Sequence, residues 1–150
     1  MDEHVYKNHN KTLLLYHLVF PAKYRRVVFS DEVQETLKNT CVGISSRFEI
    51  NFLEIGMEGD HVHFLVQSVP AVSVTKIVTT IKSLTAREIF QMNNEVKKKL
   101  WGGSLWTSGY YANTVGLYAS KDVIRKYIEG QEKKQIDYKK LYDGQLSFDL

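Results

Sequence analysis

The residues that most constrain the fold are 59–67, GDHVHFLVQ, which predict a tight turn followed by a β-strand. Side chains alternate between the two faces of a strand, so one face is apolar and suited to a core: Val62, Phe64 and Val66. The other face carries two imidazoles side by side, His61 and His63. Two neutral imidazoles held by a strand can bind a divalent metal ion. In so short a motif, histidines that only pack and form hydrogen bonds are commoner than histidines that bind a metal. Two histidines also leave the coordination sphere incomplete, so a third metal ligand must come from elsewhere in the chain.

Apolar runs, caps and turn residues divide the rest of the chain into helices and strands. Leu13 to Phe20 is an apolar run ended by Pro21, and Ser30 and Ser73 are good helix N-caps. The predicted elements are strands at 13–20, 50–57 and 110–115 with the His strand before Pro70, and helices at 30–48, 73–91 and 120–135. Strand 50–57 and the His strand should form an antiparallel hairpin across the turn at 58–60.

The resulting β-α-β-β-α-β-α order predicts an α+β fold of the ferredoxin-like, RRM-like kind, with an additional C-terminal helix. In that fold a four-stranded antiparallel sheet carries two helices on one face, and the first and third strands are central. The His pair is therefore expected on a central strand, on a sheet face that can be left open to a ligand.

Composition indicates one domain over residues 1–150, with loose polar tails at 1–11 and 139–150. The single cysteine, Cys41, excludes an internal disulfide and a cysteine zinc cluster, and its position predicts a buried place on the first helix. No apolar run is long enough to span a membrane and the N-terminus lacks the form of a signal peptide, so we expect a cytoplasmic protein without a membrane partner. The net charge of +3 permits a nucleic-acid partner without requiring one.

The C-terminal helix offers further candidate site residues. Tyr127 and Gln131 are four positions apart, so they share one helix face. A Gln amide oxygen can ligate Mg²⁺ or Mn²⁺, and a Tyr can act as a nucleophile once its phenol loses its proton. Spacing alone favours the simpler interpretation that Tyr127 packs against the sheet.

Five segments together resemble the HUH single-strand tyrosine transposases of the smallest bacterial insertion sequences and their REP-associated relatives. They are residues 16–25 (YHLVFPAKYR), 59–63 (GDHVH), 105–111 (LWTSGYY), 114–116 (TVG) and 127–131 (YIEGQ). The resemblance implies an enzyme that cleaves and rejoins single-stranded DNA at insertion-sequence ends and recognises DNA hairpins. It implies a metal-assisted transesterification through a 5′-phosphotyrosine, without a nucleotide cofactor.

The resemblance also assigns roles to individual residues. His61 and His63 match the metal-binding pair, Gln131 the third ligand of a Mg²⁺ or Mn²⁺ ion, and Tyr127 the nucleophile. Gly116 matches a glycine hinge before the catalytic helix, which in the family is exchanged within a homodimer so that the two subunits share their active sites. Position 130 departs from the family, where Asn is more usual than Gly; a helical Gly costs about 1 kcal/mol relative to Ala.

Basic side chains are candidate contacts to DNA phosphates: Lys23, Arg25, Arg26, Lys76, Arg87 and Arg125. Each of them, taken alone, is better explained as a solvated surface charge. A polar stripe along the second helix, made of Lys76, Thr80, Ser83 and Arg87, has the same two interpretations. Asp60 is interpreted as a turn residue, and Trp106 as a core residue.

Three other functions remain open at this point. A replication or conjugation nickase uses the same chemistry, although this short chain with one nucleophilic Tyr and no helicase region argues against it. A non-catalytic RNA-binding module shares the fold, but the third strand carries His61 and His63 instead of that module's aromatic consensus. A metal-dependent hydrolase would use water and would keep its activity without Tyr127.

Overall fold

The computed structural model of the chain describes residues 4–100 and 103–116. Its strands are β1 (Val5–Lys7), β2 (Asn10–Thr12), β3 (Leu14–Pro21), β4 (Asn51–Glu58), β5 (His61–Ser68) and β6 (Tyr111–Thr114). Its α-helices are α1 (Asp31–Arg47), α2 (Val74–Met92) and α3 (Asn94–Lys99), and a 3-10 turn covers Lys23–Arg25. No helix in the described ranges has the length and apolar character needed to cross a membrane.

Strands β3 to β6 form one four-stranded sheet in the order β4-β5-β3-β6, and every neighbouring pair is antiparallel. The first and third strands of the predicted fold, β3 and β5, are the central ones. The predicted α+β ferredoxin-like topology is therefore confirmed. The predicted C-terminal catalytic helix and the tail at 139–150 lie outside the described residues.

The two long helices begin where their capping residues predict. The side-chain oxygen of Ser30 accepts a hydrogen bond from the Val33 amide, and that of Ser73 accepts one from the Lys76 amide. Helix α2 ends at Met92, and the side-chain amide of its C-cap residue Asn93 donates to the Ile89 carbonyl, an acceptor at the helix end.

The hydrophobic core lies between the helices and one sheet face. Phe64 of β5 is fully buried there, with its ring 5.1 Å from that of Phe20 and 5.8 Å from that of Phe52. Cys41 is buried on α1, as predicted. The Trp106 indole stacks on Phe29, which confirms the core interpretation of this residue. Because His61 and His63 alternate with the core side chains of β5, they occupy the opposite face of the sheet.

Three details differ from the sequence prediction. Residues 1–11 were expected to be loose, but β1 and β2 form an antiparallel hairpin, and Lys7 forms an ion pair with Glu49. The hairpin is mostly exposed, so it leaves no apolar alternation in the sequence. Residues 94–99, which the predicted elements leave unassigned, form the short helix α3. Thr80 was placed on the polar stripe of α2 but is buried, whereas Lys76, Ser83 and Arg87 of that stripe are exposed.

Candidate active site around the His pair

The two histidines of β5 converge on each other. Their Nε2 atoms are 3.0 Å apart, and their rings are 4.8 Å apart between centroids at an angle of 70°. Register fixes this arrangement, because His61 pairs with Pro21 on β3 and with Glu58 on β4, at the end of both strands. This sheet face was expected to be one that can be left open to a ligand; in the structure His61 and His63 are only 1% and 0% exposed.

The carboxylate of Asp60 sets the protonation pattern of His61. Its Oδ1 atom lies 2.8 Å from His61 Nδ1, and its Oδ2 atom accepts from Arg25 Nε at 3.2 Å. Partial burial raises the pKa of Asp60, but the hydrogen bond from His61 and the charge of Arg25 together hold it below its usual value. An ionised carboxylate can only accept, so Nδ1 of His61 carries the proton. In that tautomer the lone pair of Nε2 faces His63.

A third histidine extends the cluster along the sheet. The ring of His17 stacks on that of His63 at 5.8 Å with an angle of 7°, and the ring of Tyr111 meets His17 edge-on at 6.1 Å. Burial lowers the pKa of His17 to about 4. Burial, followed by the charges of His61 and His17, lowers the pKa of His63 to about 3. His17 and His63 are therefore neutral near pH 7, the form in which imidazole binds metals.

The separation of the two Nε2 atoms fits a divalent cation. Two ligand atoms about 2.1 Å from an octahedral ion, and at right angles to each other, are about 3.0 Å apart. The observed 3.0 Å matches this distance, and it equally matches a hydrogen bond between the two rings. Within residues 4–100 and 103–116, no three His, Cys, Asp or Glu side chains form a group suited to a metal ion. The third ligand implied by the resemblance, Gln131, lies outside these ranges, as do Tyr127 and Arg125.

The five predicted phosphate contacts within the described residues lie at several different places in the fold. Arg25 joins the His pair through Asp60, and the exposed Arg26 follows it. Lys23 lines an open groove of about 830 Å³ between α2 and residues 103–110. Arg87 lies in a second groove between α1 and α2, on the helical layer and therefore across the sheet from the His pair. Lys76 is exposed in the first turn of α2.

Gly116 follows β6 at the end of the described residues. Among the residues that the structure describes, a Cβ atom added there would meet nothing within 4 Å, and φ lies outside the left-handed range of +20° to +160°. Neither steric space nor conformation therefore demands glycine at this position, and the hinge stays a prediction.

Two members of the cluster are not predicted by the sequence pattern. Asp60 was interpreted as a turn residue only, yet its carboxylate contacts both Arg25 and His61. The sequence did contain a signal, because Asp60 directly precedes the His-x-His pair and carboxylates commonly orient metal-binding imidazoles. His17 was not singled out at all. Its position beside His63 depends on the pairing of β3 with β5, where Val19 is opposite His63.

Comparison with known proteins is consistent with this geometry. The family model described as "Transposase IS200 like" matches residues 10–131. The ISDra2 transposase TnpA of Deinococcus radiodurans is 34% identical over 122 residues, which cover 81% of this chain and 86% of that protein. The transposase for insertion sequence element IS200 of Salmonella typhimurium is 28% identical over 123 residues, 82% of this chain and 80% of that protein.

Two solved structures share the fold. A crystal structure of a protein from Deinococcus radiodurans, assigned as a transposase, superposes with a TM-score of 0.69 at 30% identity and covers 85% of this chain and 97% of that one. A REP-associated tyrosine transposase bound to a REP hairpin superposes with a TM-score of 0.53 at 9% identity, covering 84% and 68% respectively, and this likeness concerns the fold alone. The family match spans the His pair and most of the chain, and the chain belongs to the IS200-like transposases, as its resemblance to the tyrosine transposases predicts.

Proposed function

We propose that this IS200-like transposase cleaves and rejoins single-stranded DNA at insertion-sequence ends by transesterification through Tyr127. The observation that carries the proposal is the pair of buried imidazoles whose Nε2 atoms converge to 3.0 Å, with His61 oriented by Asp60. In this proposal, the two rings hold a cation beside the scissile phosphate. The family match to residues 10–131 includes both the His pair and Tyr127.

The cofactor in this proposal is Mg²⁺ or Mn²⁺, held by His61, His63 and Gln131. Once bound, the cation would polarise a nonbridging oxygen of the scissile phosphate and stabilise the 3′-oxygen that leaves. A neutral His63 suits this role, because an imidazolium cannot ligate a metal. The burial of both metal-binding rings limits the access of water that would compete with the tyrosine.

Tyr127 performs the cleavage in this proposal. Its phenolic oxygen attacks phosphorus in line, a tyrosine–phosphate bond forms, and the bond to the 3′-oxygen breaks. The proton lost by the phenol is balanced by the proton gained by the 3′-hydroxyl. One phosphodiester replaces another, so a 3′-hydroxyl can later attack the phosphotyrosine and seal a new junction without ATP.

The proposed partners are a DNA hairpin and a second copy of the chain. Hairpin binding is supported by the shared fold with the REP-associated transposase, whose structure contains a REP hairpin. Lys23, Arg25, Arg26, Lys76, Arg87 and Arg125 are the proposed phosphate contacts. In the dimer, the helix after Gly116 would bring Tyr127 of one subunit to the His pair of the other.

A covalent-adduct assay tests the proposed chemistry. The protein is incubated with labelled single-stranded DNA that contains a hairpin, in the presence of Mg²⁺ or Mn²⁺. We expect a protein–DNA adduct that survives denaturation, disappears in Tyr127→Phe and persists in the control Tyr6→Phe, which alters an exposed tyrosine of the N-terminal hairpin. Cleavage without an adduct would indicate a water-using hydrolase and contradict the proposal.

A mixing experiment tests whether the sites are shared. Chains carrying His61→Ala and chains carrying Tyr127→Phe are each expected to be inactive alone. A heterodimer of the two contains one site with an intact His pair and an intact tyrosine, so activity should return. Absence of activity in a purified heterodimer would contradict shared sites while leaving the adduct chemistry intact.

A further inference from the structure

The loop that leads from β3 to α1 has an unusual backbone beside the His pair. Tyr24 and Arg25 both have positive φ values, 59° and 53°, although neither is glycine. Such conformations cost on the order of 1–3 kcal/mol each and persist only where surrounding contacts enforce them.

Hydrogen bonds fix this loop to the turn before His61. The Ala22 amide donates to the Asp60 carbonyl at 2.8 Å, and the Val28 amide donates to the Gly59 carbonyl at 3.0 Å. Between these two anchors, the Lys23 amide donates to the Leu105 carbonyl at 2.7 Å. The loop is therefore held on both sides of its strained residues, and the turn that carries Asp60 is held with it.

The strained conformation delivers the side chain of Arg25 to Asp60. One carboxylate oxygen of Asp60 accepts a hydrogen bond from Arg25 Nε, and the other lies 2.8 Å from His61 Nδ1. Asp60 therefore connects Arg25 to His61 through two different oxygens. Side-chain exposure falls along it from 26% at Arg25 to 18% at Asp60 and 2% at His61. The guanidinium thus restrains a carboxylate that in turn contacts a buried ring.

We propose that Arg25 and Asp60 are positioning residues that hold His61 in the Nδ1–H tautomer, with its Nε2 lone pair directed at the cation site shared with His63. This inference rests on the proposed function, because it assigns the two residues a purpose at the metal site. It adds to the phosphate-contact role proposed for Arg25, because positioning depends on the direction of the Nε–H group and a phosphate contact depends mainly on the positive charge. It also differs from a turn-forming role for Asp60, in which the carboxylate has no effect on His61.

Lysine and arginine are not equivalent in this role. Arginine offers a planar fork with fixed N–H directions, whereas lysine offers a flexible point charge. Arg25→Lys keeps the charge and the loop sequence around it but removes the Nε–H donor that contacts Asp60. The substitution therefore separates positioning from charge. Loss of a group that orients a metal-binding histidine typically lowers metal affinity by about 10–100-fold.

The test uses two measurements on the full chain. In metal-free protein, long-range ¹H–¹⁵N NMR of the His61 ring reports its tautomer. Titration with Mn²⁺ alone reports metal affinity, and His63→Ala identifies the binding that depends on the His pair. We expect Asp60→Ala to lose the Nδ1–H tautomer and to weaken Mn²⁺ binding by about 10–100-fold. Arg25→Lys should weaken it in the same direction, whereas the control Arg47→Lys, on α1 across the sheet, should bind as wild type does.

Each outcome has a defined meaning. Wild-type tautomer and Mn²⁺ affinity in both Asp60→Ala and Arg25→Lys would overturn the positioning role and leave the proposed transposition chemistry standing. Mn²⁺ binding that is unaffected by His63→Ala would instead overturn the metal site itself, and the positioning role with it. If Asp60→Ala fails to fold by circular dichroism, Arg25→Lys alone decides, because it preserves the Asp60 turn.

Discussion

Lys82 of α2 is a half-buried cation, and the free-energy cost of removing it from water should be visible in the pH dependence of stability. Its Nζ atom donates to the carbonyl oxygens of Thr107 and Gly109 at 2.8 and 3.0 Å. It also lies 5.4 Å from the ring centroid of Phe20 and 5.6 Å from that of Tyr110. Burial lowers the pKa of Lys82 from 10.5 to about 8. The side chain thus connects α2 to the segment that precedes β6, but its ammonium group loses part of its hydration.

The sign of the effect follows from proton binding. Between pH 8 and 10.5 the unfolded chain retains a proton on Lys82 that the folded chain has lost, so the free energy of unfolding rises with pH across this window. The pKa difference corresponds to about 2–3 kcal/mol once partial solvent exposure is allowed for. Below pH 8 both states are protonated and the contribution is constant.

The assay is urea denaturation of wild type and Lys82→Met, followed by circular dichroism from pH 7 to 10.5. The difference in unfolding free energy between the two proteins cancels the titration of all other groups. We expect wild type to gain about 2–3 kcal/mol relative to Lys82→Met over this range. The control Lys38→Met, at an exposed site on α1, should show a constant difference. A constant difference for Lys82→Met as well would refute the reasoning.

Three further predictions concern the scaffold. Phe64→Ala should lower the unfolding free energy by about 3–5 kcal/mol, because it leaves a cavity where a fully buried ring packs. Phe64→Leu should lower it less, and equal losses for the two variants in urea denaturation would contradict this reasoning. Trp106→Phe should cost about 1–2 kcal/mol, since it removes the indole N–H that donates to Thr85 Oγ1 at 3.0 Å; an unchanged thermal midpoint would argue against that bond. Gly59→Ala should destabilise the protein because its new Cβ would lie 2.9 Å from Val27 Cγ1, and Val27→Ala should relieve the loss in the double variant; additive losses would exclude this contact.

Local signals in the sequence predict most of the fold. The caps at Ser30 and Ser73 set helix starts, and the turn at 58–60 sets the hairpin that places His61 and His63 on one face. These features depend on neighbours in the chain, so they can be read from one sequence. The N-terminal hairpin could not be predicted in the same way, because its exposed residues carry no apolar period.

The site is less predictable than the fold because its contacts join distant segments. Arg25 and Asp60 are 35 residues apart in the sequence. Their contact forms in a loop where Tyr24 and Arg25 have positive φ values, and side-chain patterns do not encode this backbone conformation. The stacking of His17 on His63 requires the register of β3 against β5, two strands that are not consecutive in the chain. Tyr127 and Gln131 entered the site through the family resemblance, and they remain predictions.

The central claim is that His61 and His63 position a phosphate while Tyr127 is the residue that attacks it. The most direct measurement is mass spectrometry of the protein–DNA adduct after proteolysis and nuclease digestion. The account predicts a nucleotide joined through its 5′-phosphate to the peptide that contains Tyr127. Attachment to Tyr111, the tyrosine whose ring lies beside His17 in the cluster, or a nucleotide joined through its 3′-phosphate, would contradict it.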